Sequence, residues 1–223
     1  VSTSIPCPSC GGDVSVRLST AYVACQYCRH ILVKSGENYA DSGDVSGIAE
    51  DMSPFQIGAE GWLDGVHFGL VGRLRMAWKD GFWNEWYAYF DDGRFGWLAE
   101  AQGLLAILFE ITDLEITKEL RSKLKSFESP EHMLGKDVEI SSIPLVVSDI
   151  KKTECIVVEG ETPRVSVLGS PFTAIDFMGR NGEIATSEFI AQPPAHRLFL
   201  GNYVRASDLR LGNLREIDGW QRR

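Results

Sequence analysis

Residues 83–101 read WNEWYAYFDDGRFGWLAEA. Two aromatic-rich runs flank Asp91-Asp92-Gly93, and an Asp-Gly step between apolar runs is a strong β-hairpin signal. Side chains alternate along a strand, so Trp86, Ala88 and Phe90 share one face while Tyr87 and Tyr89 share the other. Working outward, residues 66–78 (VHFGLVGRLRMAW) predict a strand bent at Gly69 and Gly72. Residues 104–111 (LLAILFEI) predict a buried strand. The pattern breaks at 112–127, where Thr112 and Glu115 have capping-box spacing and Leu120, Leu124 and Phe127 match one helical face. Strand patterns resume over 136–150, 154–160, 164–169, 172–178 and 183–191. The fold class is therefore mainly β, with strands spaced closely enough for small barrels or sandwiches.

The two halves of this β region resemble each other. EWYAYFDDGRFGWLAEAQG and FTAIDFMGRNGEIATSEFIAQ both give strand, glycine-containing turn, strand and glutamate. Gly93 matches Gly182 at an offset of 89, and Glu100 matches Glu188 at 88, a slip that a bulge would absorb. The expectation is two related modules, at 54–111 and 136–217, joined by a connector with helical character at 112–135.

Ahead of them stands a different unit. Cys7 and Cys10 form one C-x-x-C, Cys25 and Cys28 another, and 14 residues separate the pairs. This is the spacing of a compact four-thiolate site. Gly11 and Gly12 suit the turn after the first pair, and Val14, Val16 and Leu18 alternate along the strand that follows. A hairpin with one knuckle at each end is a zinc ribbon, here 1–36, with one zinc ion as the expected cofactor and iron as the other metal that four thiolates suit. Disulfides would need an oxidising compartment, and the chain opens with no apolar secretory segment. His30 follows a ligand set that is already full. Cys155 stands alone and reads as a buried strand cysteine. Residues 37–53 are rich in Gly, Ser, Asp and Glu and read as a linker that leaves the ribbon a separate unit.

Net charge is −9 over 223 residues. Residues 1–36 carry Arg17, Arg29 and Lys34 against Asp13, a formal +2, which four thiolates and a zinc dication cancel. The remainder is then −11. Binding to nucleic acid draws much of its affinity from Lys and Arg on phosphates, and no basic stripe is present. A nucleic-acid-binding ribbon is thus the second reading. No run of 18 apolar residues occurs in the chain, so no transmembrane segment is expected within it.

Catalytic signals are sparse. His30, His67, His132 and His196 form no metal-spaced pair, and no nucleophile elbow or phosphate loop is present. Glu85, Asp91, Asp92 and Glu100 lie around the aromatic hairpin, and a hydrolase using Glu85 is the third reading. Aromatic density is the stronger signal: residues 78–97 hold nine of the 23 aromatic side chains. If Trp86, Ala88 and Phe90 fill a core, Glu85, Tyr87 and Tyr89 are left on an outer face suited to a protein partner.

The run from Phe55 to Gly103 resembles a bacterial domain-of-unknown-function family. The residues that carry the likeness are Ile57, Gly58, Gly61, Val71, Gly72, Arg73, Trp83, Glu85, Trp86, Gly93, Trp97 and Leu98. VVEGETP and YVRASDL resemble the family's second half. The resemblance implies an N-terminal zinc ribbon, no defining catalytic motif, and genes close to those of phage-shock-protein-A-like membrane-stress proteins. The function expected is a non-catalytic interaction or adaptor protein in a membrane-stress assembly. Its expected place is the cytoplasm, with any contact to the inner face of the membrane made through a protein partner.

Overall fold

The computed structural model describes residues 2–17, 20–47, 52–125, 129–163, 168–190 and 195–218. The ribbon region contains β1 (Ser2–Pro6), β2 (Asp13–Arg17), β3 (Tyr22–Ala24), β4 (His30–Ser35) and β5 (Asn38–Val45). The first half of the β region follows as β6 (Glu60–Leu63), β7 (Val66–Trp78), β8 (Gly81–Phe90), β9 (Phe95–Ala101) and β10 (Leu104–Glu110). Two helices, α1 (Leu114–Lys125) and α2 (Pro130–Met133), connect to the second half. That half is β11 (Asp137–Ile140), β12 (Ile143–Thr162), β13 (Phe172–Met178), β14 (Glu183–Ile190) and β15 (Ala195–Val204).

The two halves have the same plan, a short strand, a long bent strand and three more in antiparallel succession. They join into one barrel. β10 pairs with β15, and β7 pairs with β12, so eight antiparallel strands close in the order β7-β8-β9-β10-β15-β14-β13-β12. Each junction between halves is a close backbone approach that only glycine permits. At β7–β12, Gly72 faces Gly160, and a Cβ on Gly72 would lie 1.7 Å from the Glu161 carbonyl oxygen. At β10–β15, a Cβ on Gly201 would lie 1.8 Å from the Ile107 carbonyl oxygen. The bend expected in 66–78 is a bulge between Leu70 and Gly72.

Strands of this barrel are buried on both faces. Inside, Leu74, Met76, Tyr87, Trp97, Leu108, Cys155, Val158 and Phe199 form one cluster. Outside the first half, Trp86, Ala88, Phe90 and Leu98 pack under Phe55, Leu209 and Leu211, which come from the flanking loops. Outside the second half, Ile175, Phe177 and Ala185 pack under Leu120 and Leu124 of α1. The helix is capped by Asp113, whose Oδ1 accepts from the Glu115 amide at 2.8 Å; the cap is thus one residue later than the Thr112 expected from capping-box spacing. Phe127 and Leu18 lie outside the described residues, as do 164–167 of the strand expected over 164–169.

Two expectations change. The stretch 37–53 contains β5, an eight-residue strand on β4, because Asn38, Tyr39 and Ala40 continue the ladder from the Glu37 turn; residues 48–51 lie outside the described residues. The ribbon is also not separate. Tyr22, Val23 and Ala24 pair with Thr162, Glu161 and Gly160 of β12. Glu161 accepts from the Arg17 guanidinium, the Thr20 hydroxyl and, at 3.1 Å, the Arg17 amide. Ser46 Oγ donates to the Val158 carbonyl at 2.6 Å, and Ala24 and Ile31 join the barrel's interior cluster.

The Glu100–Glu188 match also resolves. With β8–β9 and β13–β14 both paired without a shift, the offset of 89 places Glu188 opposite Ala99 in the repeat and Glu100 opposite Phe189. A slip of one residue reverses the face. Glu100 therefore points outward, accepting from Asn84 Nδ2, Trp86 Nε1 and Ser53 Oγ at 3.0, 3.2 and 2.6 Å, while Glu188 lines the interior.

The seam gives a paired test. Gly72→Ala forces a Cβ into the Glu161 backbone, and overpacking of this kind costs roughly 1–3 kcal/mol or more. Gly69→Ala in the same strand meets nothing within 4 Å and is expected to leave stability within about 0.5 kcal/mol of wild type, with the thermal unfolding midpoint nearly unchanged. Equal midpoints for the two variants would show that β7 and β12 do not approach as described.

Candidate metal centre and the barrel interior

Each C-x-x-C forms a knuckle of the same shape. The Gly11 amide donates to the Cys7 carbonyl and the Arg29 amide to the Cys25 carbonyl, both at 2.8 Å. The Cys7 amide donates to the Gly12 carbonyl at 2.8 Å and the Cys25 amide to the His30 carbonyl at 2.9 Å. The residue after each pair has positive φ, Gly11 at 76° and Arg29 at 65°. Glycine takes that conformation without strain, whereas Arg29 adopts it because the knuckle demands it. Gly12 serves differently: a Cβ there would lie 2.4 Å from the Tyr27 ring.

These knuckles bring the four sulfurs together, all within 4.8 Å of one another. Cys7 and Cys28 Sγ are 3.7 Å apart, Cys10 and Cys25 Sγ 3.8 Å, and none forms a disulfide. A tetrahedral zinc with Zn–S bonds of about 2.3 Å needs S···S edges of about 3.8 Å, so the residues present fit the ion. The electrostatics also call for a cation. Burial works against the Cys7 thiolate, but the Cys10 and Ser9 amides and the neighbouring sulfurs bring its pKa down to about 7. The His30 amide favours the Cys28 thiolate, yet desolvation and the other three sulfurs outweigh it and push that thiol up to about 12. Four thiolates cannot coexist here without a positive charge between them.

His30 is not a ligand. Its Nδ1 lies 2.6 Å from Asp41 Oδ2 and 3.1 Å from Ser9 Oγ. The Ser9 hydroxyl, then the Gly43 amide and His30, hold the Asp41 carboxyl down to about 2. Serine, histidine and aspartate meet here, but Ser9 and Asp41 share one ring nitrogen, so the ring cannot pass a proton from one to the other. Ser187 Oγ lies 2.7 Å from His196 Nε2, and Ser187 is fully buried, so its oxygen reaches no solvent. Half-buried His67 lies between Glu60 (3.3 Å) and Asp91 (3.2 Å). Cys155 is buried, its Sγ 3.4 Å from the Val157 carbonyl oxygen, as a strand cysteine should be.

The candidate partner face comes out differently from the sequence reading. Tyr87 is buried inside the barrel, stacked on Phe95 at 5.1 Å and against Trp97 at 4.9 Å. Burial, with the charges of Glu110 and Glu161, pushes its hydroxyl pKa up. Tyr89 is half-buried against Phe95, and Glu85 lines the interior, accepting from Trp83 Nε1 at 3.0 Å. The outer face of the strand belongs to Trp86, Ala88 and Phe90, covered by the flanking loops. The physical reason is closure: once β8 curves into a barrel, both of its faces acquire a core.

The residues that sequence reading missed are polar groups on the interior side of the second half. Asp149, Lys151, Asp176, Glu188 and Tyr203 all line one cavity with Glu85. Burial raises the Asp176 carboxyl even though Thr186 Oγ1 donates to it at 2.8 Å and Lys151 is near. The signal was present in FTAIDFM, where Ile175 and Phe177 alternate with Ala174 and Asp176; the apolar face is the outer one, under α1.

Fold and site together define a four-cysteine ribbon built onto a closed antiparallel barrel of two like halves. Residues 56–206, about two thirds of the chain, match the family described as domain of unknown function DUF4178, and the chain belongs to that family. No curated protein and no solved structure matches it. The matched span begins and ends in the loops that cover the barrel and leaves the ribbon outside. No helix among the described residues is long and apolar enough to cross a membrane.

The pairing of β3 with β12 makes a prediction opposite to that of a free ribbon. Cys10→Ser is expected to lose the metal and also to lower the thermal midpoint of the barrel, read from its tryptophan fluorescence. An unchanged barrel transition in the metal-free variant would mean that the Glu161 contacts do not couple the two.

Proposed function

We propose that this chain is a zinc-binding, non-catalytic adaptor. The observation that supports it most is the match between the sulfur edges of 3.7 and 3.8 Å and a tetrahedral zinc site. In this reading the ion is structural: four protein ligands leave no open position for a substrate. Zinc holds the ribbon in register on β12, and the barrel is the rigid body that carries it. With Tyr87 inside the barrel, the contact face for a protein partner is assigned to the ribbon, where Tyr27 is 63% exposed on the second knuckle. The membrane-stress setting implied by the family resemblance belongs to the same proposal, and the chain would reach a membrane through its partner.

The experiment has two readings. Elemental analysis of protein purified without chelator is expected to give one zinc per chain; iron in its place would correct the metal. Affinity purification from a native host is expected to retain a phage-shock-protein-A-like protein on wild type and to lose it on Cys10→Ser. Equal retention by both, or by neither, contradicts the adaptor role while leaving the metal result standing.

A further inference from the structure

An eight-stranded barrel is just wide enough either to fill with side chains or to hold one small ligand. Here the interior is filled at the end where Ala24 and Ile31 of the ribbon enter it. Toward the other end, beside the turns at 79–80 and 102–103, a cavity of about 360 Å³ remains, within the size range of small-molecule sites. All eight barrel strands contribute to its wall. Phe82 and Leu104 line it too and are 55% and 60% exposed, so they mark its opening and give it an apolar lip.

The space follows from small side chains at inward positions. Ala99, Ala106 and Ala174 all line the cavity. Ala99 and Ala106 are cross-strand partners, Ala106 also faces Tyr203, and Ala174 stands between Lys151 and Glu188. Interior positions of small barrels are ordinarily filled by side chains of matched size, and a leucine at Ala106 or Ala174 would fill part of this one. The indoles of Trp78, Trp83 and Trp97 and the rings of Phe172 and Tyr203 make up much of the remaining wall.

The charged groups of the wall are engaged by the protein itself. Asp149 is ion-paired with Lys151, whose Nζ lies 5.1 Å from the Trp78 ring centroid. Asp176 accepts from Thr186 Oγ1 at 2.8 Å, and Glu85 accepts from Trp83 Nε1 at 3.0 Å. Glu188 is engaged as well. What the wall offers a ligand is therefore ring surface rather than a charge to be met.

We propose that the lumen binds a neutral bicyclic aromatic molecule, with its rings among Trp78, Trp83 and Trp97. An apolar cavity of about 150 Å³ takes up benzene, and this one has room for a second fused ring. Aromatic rings gain from offset-stacked and edge-to-face contacts beyond the area they bury, which an aliphatic ligand does not. An anion would meet four carboxylates. A cation would give up its hydration for carboxylates that already have partners. The assignment is independent of the metal and of the protein partner.

The test uses the full chain as purified and four probes: indole, the cation tryptamine, the anion indole-3-acetate and the neutral aliphatic ring cyclooctanol. Binding is followed by calorimetry. Indole is expected to bind at one site per chain, about tenfold more tightly than cyclooctanol and more tightly than either charged indole. Ala106→Leu is expected to weaken indole at least about tenfold while leaving the thermal midpoint equal to or above that of wild type. If that variant does not fold, Ala174→Leu carries the same comparison. Tighter binding of tryptamine or indole-3-acetate, equal binding of cyclooctanol, unaltered affinity in the folded leucine variant, or no saturable binding of indole by folded wild type would each overturn the assignment.

Discussion

The structure depends on the approach of two backbones at Gly72 and Gly160. β7 and β12 are the long, bent first strands of the two halves, and each would be an open edge without the other. Their pairing over 72–77 and 154–160 turns two four-stranded meanders into a closed barrel. Gly160 takes φ +63°, and neither glycine leaves room for a side chain. Gly201 has the same role at the opposite junction. Closure also gives β12 its length of 20 residues: it pairs with β13, then with β7, then continues past the barrel to meet β3 of the ribbon.

Closure explains the aromatic density that sequence reading turned into a contact surface. A strand in a two-sided sheet needs one apolar face, so Tyr87 and Tyr89 looked surplus. A barrel strand with a covered outer face needs two. Trp86 and Phe90 then serve the outer core and Tyr87 the inner one, and the hairpin is dense because it is buried twice. The family-like residues follow the same logic. Gly72 sits at the seam, Gly93 at the hairpin with φ +88°, and Arg73 lies over Trp86 at 4.7 Å while donating to Asn84. Each of these three has a structural place in the barrel wall.

Much of the rest was legible because it is local. The cysteine spacing, the hairpin at 91–93, the bent strand at 66–78 and the helical face of Leu120 and Leu124 rest on periodicity and turn chemistry that sequence carries directly. What was not legible is non-local. Nothing near Asn38–Val45 announces a strand, since its composition is that of a loop and its partner β4 supplies the ladder. The ribbon's docking depends on Glu161, more than 140 residues from Arg17 and Thr20. Glu188 and Glu100 looked equivalent because a slip of one residue is invisible in a string and reverses the face in a sheet. The duplication was readable, but not the fact that the two copies share one interior.

The central claim is that the halves close on each other. Nuclear Overhauser contacts in isotopically labelled protein read this directly. The account predicts cross-strand contacts joining residues 72–77 to 154–160, alongside those joining 105–110 to 199–204. Contacts within each meander but none between β7 and β12 would mean two separate sheets, and would contradict both the barrel and the lumen within it.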